Sequence, residues 1–130
     1  MWYRIAAEQG NAEAQYILGL YYFRGHGVEQ NYEESAKLYT MAAKQGHVSA
    51  QIELANCYLA GHGVMIDYTA ATDWFHKAAE QGNAAAQYIL GECYENGLGI
   101  PQDYNEAKKW YTLAANAEIE EAKEKLKHLQ

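Results

Sequence analysis

Proline is nearly missing from this chain of 130 residues, with Pro101 its single instance. Proline breaks helix interiors, so its scarcity removes the commonest interruption of helical structure. Alanine, at roughly one residue in six, points the same way. Cysteine is limited to two residues, too few for a disulfide framework. Basic residues are outnumbered, 10 Lys and Arg against 17 Asp and Glu, for a formal net charge of −7. Phosphate binding needs clustered Lys and Arg, so this balance argues against nucleic acid and against an anionic membrane surface. It is compatible with a basic protein partner. The longest apolar run, Tyr16 to Phe23, falls far short of the roughly 18 residues of a membrane span. No basic stretch followed by an apolar one opens the chain, so no signal peptide is expected.

What is present is enough to fold. Half the residues, 49%, are hydrophobic and 21% are charged, which fits one domain over residues 1–130. The composition hides a strict period. Trp2, Trp74 and Trp110 stand at multiples of 36, with Leu38 in the missing slot. Gly10, Gly46 and Gly82 share that period, as do Gly25, Gly61 and Gly97, and Gly27, Gly63 and Gly99. So do the alanine pairs at 6–7, 42–43, 78–79 and 114–115. Residues 2–37 and 74–109 agree at roughly 20 of 36 positions. A period of this length marks a solenoid, propeller or array. The units run at about 2–37, 38–73 and 74–109, followed by a degenerate capping unit at 110–130.

Within each unit the apolar spacing predicts two helices. Ala14, Leu18, Gly19 and Tyr22 fall on one helical face, and the Gly-x-Gly at Gly25 and Gly27 ends that helix. The next opens at Asn31, Asp67 or Asp103, each a good N-cap. Asn31 with Glu34, and Asp103 with Glu106, resemble capping boxes. Helices are expected at about 2–9, 11–24, 31–45, 47–60, 67–81, 83–96, 103–116 and 118–129. In the last, Glu118 replaces glycine, Lys123 replaces glutamine and only a thin apolar face is left, as a terminal cap requires.

The run Ala12 to Val28, its counterpart Asn83 to Ile100, and the stretch Asp67 to Gly82 resemble the Sel-one-like repeat family, a relative of the tetratricopeptide repeats. The likeness covers nearly the whole chain. Departures are Ala55 for glycine, Asn31 for aspartate, Leu38 for tryptophan and the last unit. The resemblance implies an all-α fold, a right-handed superhelical solenoid of antiparallel helix pairs. It further implies a scaffold for protein–protein contacts, typical of bacterial signalling, secretion, host-interaction and toxin-neutralising systems, rather than an enzyme. The compartment stays open between bacterial cytoplasm and periplasm.

In related solenoids the first helix of each pair lines the concave face. Anchored on Leu18-Gly19, that face exposes Glu13, Tyr16, Leu20, Phe23 and Arg24. The next repeat presents Ile52, Asn56 and Leu59, the third Tyr88, Glu92 and Glu95, and the last Glu121. The N-terminal half reads as aromatic and aliphatic, the C-terminal half as acidic. Exposed Tyr and Phe are typical anchors, and an acidic flank steers a basic partner. Packing of Tyr16, Leu20 and Phe23 against a missing repeat or another copy stays open beside partner recognition. Two further readings do too: an immunity or inhibitor protein that occludes a toxic enzyme, and a self-assembling module that associates through Trp2 and Ile5.

No chemistry of a reaction centre emerges. Cys57 and Cys93 share a repeat position, and adjacent repeats hold equivalent residues about 8–10 Å apart, too far for a disulfide. Buried free thiols are expected. His26 and His62 occupy equivalent Gly-His-Gly loops but find no third ligand for zinc, so solvated histidines are expected there. His47, His76 and His128 have no recognisable partner. The Gly-x-Gly loops lack the third glycine and the preceding strand of a nucleotide site. No metal or other cofactor is expected.

Overall fold

The computed structural model describes residues 2–129. Its helices group into two compact units, residues 1–67 and 68–130. The first holds α1 (Trp2–Glu8), α2 (Ala12–Arg24), α3 (Tyr32–Lys44) and α4 (Val48–Ala60). The second holds α5 (Tyr68–Glu80), α6 (Ala84–Asn96), α7 (Tyr104–Asn116) and α8 (Glu120–Leu129). Within each unit every helix packs on the next in sequence. No strand occurs among the described residues. Each helix lies where the period predicts it, one or two residues shorter, because the capping residue stands outside the helical backbone.

The caps explain the starts. Asn31 accepts from Glu34 N at 3.0 Å, and Asp103 accepts from Asn105 N and Glu106 N. Neither forms the expected capping box. The backbone N–H groups of Asn31 and Asp103 donate instead to the carbonyls of Tyr22 and Tyr94, both at 2.9 Å. The preceding helix thus satisfies the donor that a glutamate side chain would have taken. Asn11 and Asn83 cap α2 and α6 in the same way.

Alanine lets the helices close in, and one buried aromatic per pair fills the gap. In the first unit Ala6, Ala7, Ala14, Leu18 and Leu38 form a core cluster, with Tyr39 and Leu54 fully buried. In the second, Ala107, Tyr111, Ala114 and Ala122 do so, and Phe75 and Leu90 are fully buried. The approach is tight: a Cβ on Gly19 would stand 2.8 Å from the Tyr39 ring, and one on Gly91 2.6 Å from Tyr111.

Polar side chains that enter the core are spent on backbone. Gln15, Gln51 and Gln87 donate to the carbonyls of Ala7, Ala43 and Ala79, joining the end of one helix to the start of the next. Those carbonyls sit at helix ends, where no intrahelical donor reaches them. Lys123 holds the equivalent place in α8 and pairs with Glu118 and Glu120 instead, at 2.6 and 3.3 Å.

Leu38 stands where the period calls for tryptophan. Beside it is a groove of about 160 Å³ lined by Ala7, Leu18 and Met41 and rimmed by Arg4, Glu8, Glu34 and Lys37. Leu38→Trp is expected to fill it and to stabilise the chain by about 1 kcal/mol. A thermal melt showing a fall in Tm would count against that reading of the groove.

Candidate protein-binding surface

In the first unit the sequence-predicted face lies on α2 and α4. Tyr16, Leu20, Phe23, Ile52 and Leu59 are half-buried, while Glu13, Arg24 and Asn56 are exposed. Phe23, Asn56 and Leu59 come together. With Glu53, Cys57, Ala60 and His62 they line a cleft of about 380 Å³. Leu20 and Arg24 line a neighbouring cleft of about 330 Å³ with Tyr21, Gly25 and His26. The rim of the first cleft is a three-ring cluster. Phe23 meets Tyr32 at 4.9 Å and His62 at 5.4 Å, and Tyr32 stacks on His62 at 4.4 Å between centroids. His62 is therefore packed rather than solvated, because the Gly-His-Gly loop folds back over the start of α3.

His47 also has partners that its sequence context hides. It occupies the N-cap slot that Asn11 and Asn83 fill, and Nδ1 accepts from Ala50 N at 3.1 Å. The proton then sits on Nε2, which donates to Glu13 at 2.7 Å. The imidazole faces the Tyr16 ring at 4.8 Å, so Glu13, His47 and Tyr16 form one connected strip. His76 likewise lies 3.2 Å from Glu80 and against the edge of Trp110.

In the second unit the same face carries Tyr88, Glu92 and Glu95 on α6 and Glu121 on α8. The expected open acidic flank is absent at two of these positions. Glu92 and Glu95 are half-buried, and Lys125 Nζ lies 3.8 and 3.7 Å from their carboxylates. The Tyr88 hydroxyl donates to Glu92 at 3.3 Å, and the buried Tyr111 hydroxyl donates to Glu95. Burial, followed by that hydrogen bond to Glu95, pushes the Tyr111 hydroxyl far above its ordinary range. Glu121 remains exposed. Lys125 escaped the sequence reading because its repeat slot holds Ile17, Glu53 and Ile89, a series with no pattern.

Cys57 and Cys93 are free and buried. Burial, reinforced by the Glu53 charge, pushes the Cys57 thiol up to about 11. Among the described residues no group of three or more His, Cys, Asp or Glu is placed to hold a metal ion. No helix among them is long and apolar enough to cross a membrane.

Helix pairs recurring every 36 residues and joined by glycine loops define an all-α repeat solenoid. The chain belongs to the Sel1 repeat family, which matches residues 1–11, 12–47, 48–83 and 84–118. A Sel1 repeat protein from Oxalobacter formigenes has a similar structure, with 40% identity and a TM-score of 0.89, over 97% of this chain and 95% of that one. A protective antigen present in uropathogenic Escherichia coli strains is 42% identical over 89% of this chain, with a TM-score of 0.86. This chain spans only 25% of that protein's length. Cysteine rich protein B of Helicobacter pylori shares the fold at 20% identity and a TM-score of 0.70, over 93% of this chain and 86% of that one. No curated protein matches the chain. Sel1 repeat proteins serve as scaffolds that bind other proteins and are generally non-enzymatic.

Proposed function

We propose that this chain is a protein-binding scaffold whose partner docks on the α2–α4 face of the first unit. Tyr16, Leu20, Phe23, Ile52 and Leu59 are its anchors, and Glu13, Arg24 and Asn56 its polar rim. Tyr88, Glu92, Glu95 and Glu121 offer a second, more polar contact. The observation that carries this reading is the cleft at which Phe23, Asn56 and Leu59, from two different helices, converge. Half-buried aromatics beside a cleft supply contact area at low entropic cost, since the frame already orders them. We take the chain, like the proteins it resembles, to be bacterial.

A second reading has its own support. Trp2 and Ile5 are 66% and 54% exposed, an apolar face suited to a second copy of the chain.

One experiment separates the two. Wild type is used for affinity capture from native lysate beside the Tyr16→Ser, Leu20→Ser, Phe23→Ser triple variant and a Trp2→Ser, Ile5→Ser double variant. Circular dichroism checks that both variants fold. A protein retained by the double variant and lost from the triple one is the expected outcome. Equal capture by all three moves the site elsewhere. Capture of the chain itself, lost with the double variant, supports self-association.

A further inference from the structure

The two units share a register two repeats apart, so each position on this face of one has a counterpart in the sequence of the other. Tyr88 corresponds to Tyr16, Glu92 to Leu20, Glu95 to Phe23, Tyr111 to Tyr39 and Lys125 to Glu53. In the second unit this set closes on itself. Lys125 sits between two carboxylates, and each carboxylate also accepts from a tyrosine hydroxyl.

In the first unit the set stays open, with the charge reversed. Leu20 and Phe23 replace the two glutamates, and Glu53 replaces the lysine. Glu53 meets no lysine, arginine or histidine within ion-pair distance among the described residues. Its one hydrogen bond is a long one from Asn56 Nδ2, at 3.5 Å. Arg24 does not reach it and lines the neighbouring cleft. The counterpart of the Tyr111 hydroxyl is equally unmet: Tyr39 is fully buried and its hydroxyl makes no hydrogen bond. Ser35 beside it donates to Gly19 O instead, at 2.8 Å. Burial chiefly holds the ionisation of Tyr16, Tyr39 and Cys57 up, and the Glu53 charge adds to it.

The half-buried Glu53 carboxylate thus stands in a cleft walled by Phe23, Leu59 and His62 with no counter-charge within ion-pair distance, and is placed to accept one. We infer that this cleft seats a lysine or arginine side chain of the protein partner, with the cationic head on Glu53 and the methylene stem along Phe23 and Leu59. The stem of such a side chain packs on apolar surface while its head keeps polar company, and an aromatic wall adds attraction for the cation. The net charge of −7 favours approach of a basic partner. This seat rests on the protein-binding reading above and names the chemistry of what binds there.

The test uses the full chain, labelled with nitrogen-15 and titrated with three peptides: acetyl-Leu-Arg-Leu-amide, acetyl-Leu-Lys-Leu-amide, and the citrulline counterpart, which keeps the shape of arginine without its charge. The Arg and Lys peptides are expected to shift the backbone amides of Phe23, Glu53, Asn56, Leu59 and His62 saturably. The citrulline peptide should bind about tenfold or more weakly. Glu53→Gln should bring the Arg peptide down to the citrulline level, while Glu80→Gln, an exposed position outside the proposed binding surface, leaves it unchanged. Equal binding of citrulline, indifference to Glu53→Gln, shifts centred on Glu121, or no shifts at about 10 mM peptide each overturn the inference. A captured partner lost with the triple serine variant but retained by Glu53→Gln leaves the scaffold reading standing and removes the cation seat.

Discussion

Alanine at Gly63 or Gly99 is expected to destabilise the chain by about 3–5 kcal/mol, against about 1 kcal/mol for alanine at Gly27. All three glycines hold the same repeat slot and nearly the same backbone, with φ of 75°, 78° and 71° at Gly27, Gly63 and Gly99. An L-residue is strained there in every case. The surroundings differ. A Cβ at Gly63 would stand 2.1 Å from the carbonyl oxygen of Tyr32, and one at Gly99 2.1 Å from that of Tyr68, whereas Gly27 has nothing within 4 Å. Backbone oxygen at the start of a helix cannot swing aside as a side chain would, so α3 or α5 must shift. Urea denaturation followed by far-UV circular dichroism measures the three variants side by side. Equal losses would show that φ alone sets the cost.

Alkaline pH is expected to destabilise the chain through its buried thiols and phenols. Burial holds the Cys57 thiol at about 11 instead of 9.0, and raises Cys93, Tyr39 and Tyr111 in the same direction. In the unfolded chain these groups ionise at ordinary values. Between the ordinary and the raised value the unfolded state therefore sheds protons that the folded state keeps, so stability falls as pH rises. The contribution is fully present below the unfolded value and is lost as pH climbs through the folded one. For Cys57 alone the loss approaches about 2–3 kcal/mol near pH 11, and the two tyrosines add to it. Tm measured from about pH 7 upward should hold level with respect to these groups to about pH 8 and then drop steeply. Cys57→Ala should show a shallower drop. A flat profile to about pH 11 would mean that these side chains reach solvent in the native state.

The frame of this protein is legible in its sequence because the frame is what repeats. Tryptophan, glycine and the alanine pairs fall at fixed intervals, and each marks a place where one backbone meets another. Asn31 and Asp103 announce their helices because capping is a local interaction between residues two or three apart. The parts that escaped are those in which one residue of a repeat reaches into another. Lys125 closes on Glu92 and Glu95 across more than one helix, and no spacing along the chain reveals that. His47 passes for an unpartnered histidine until its slot is compared with Asn11 and Asn83. Glu53, in the half expected to be apolar, has no ion-pair partner among the described residues, whereas two of the glutamates in the acidic half are held by a lysine.

The two kinds of turn also divide the chain into places that accept extra length and places that refuse it. The short turns at Gly46 and Gly82 face open space, with nothing within 4 Å of where a side chain would grow. A spacer, an epitope or a protease site let into either would extend into solvent. The Gly-x-Gly loops at Gly63 and Gly99 lie flat against the carbonyl of an earlier helix, and an added residue there would lift the loop off its seat. Insertions into this chain therefore belong at the open turns, where the ring cluster of Phe23, Tyr32 and His62 is left as it stands.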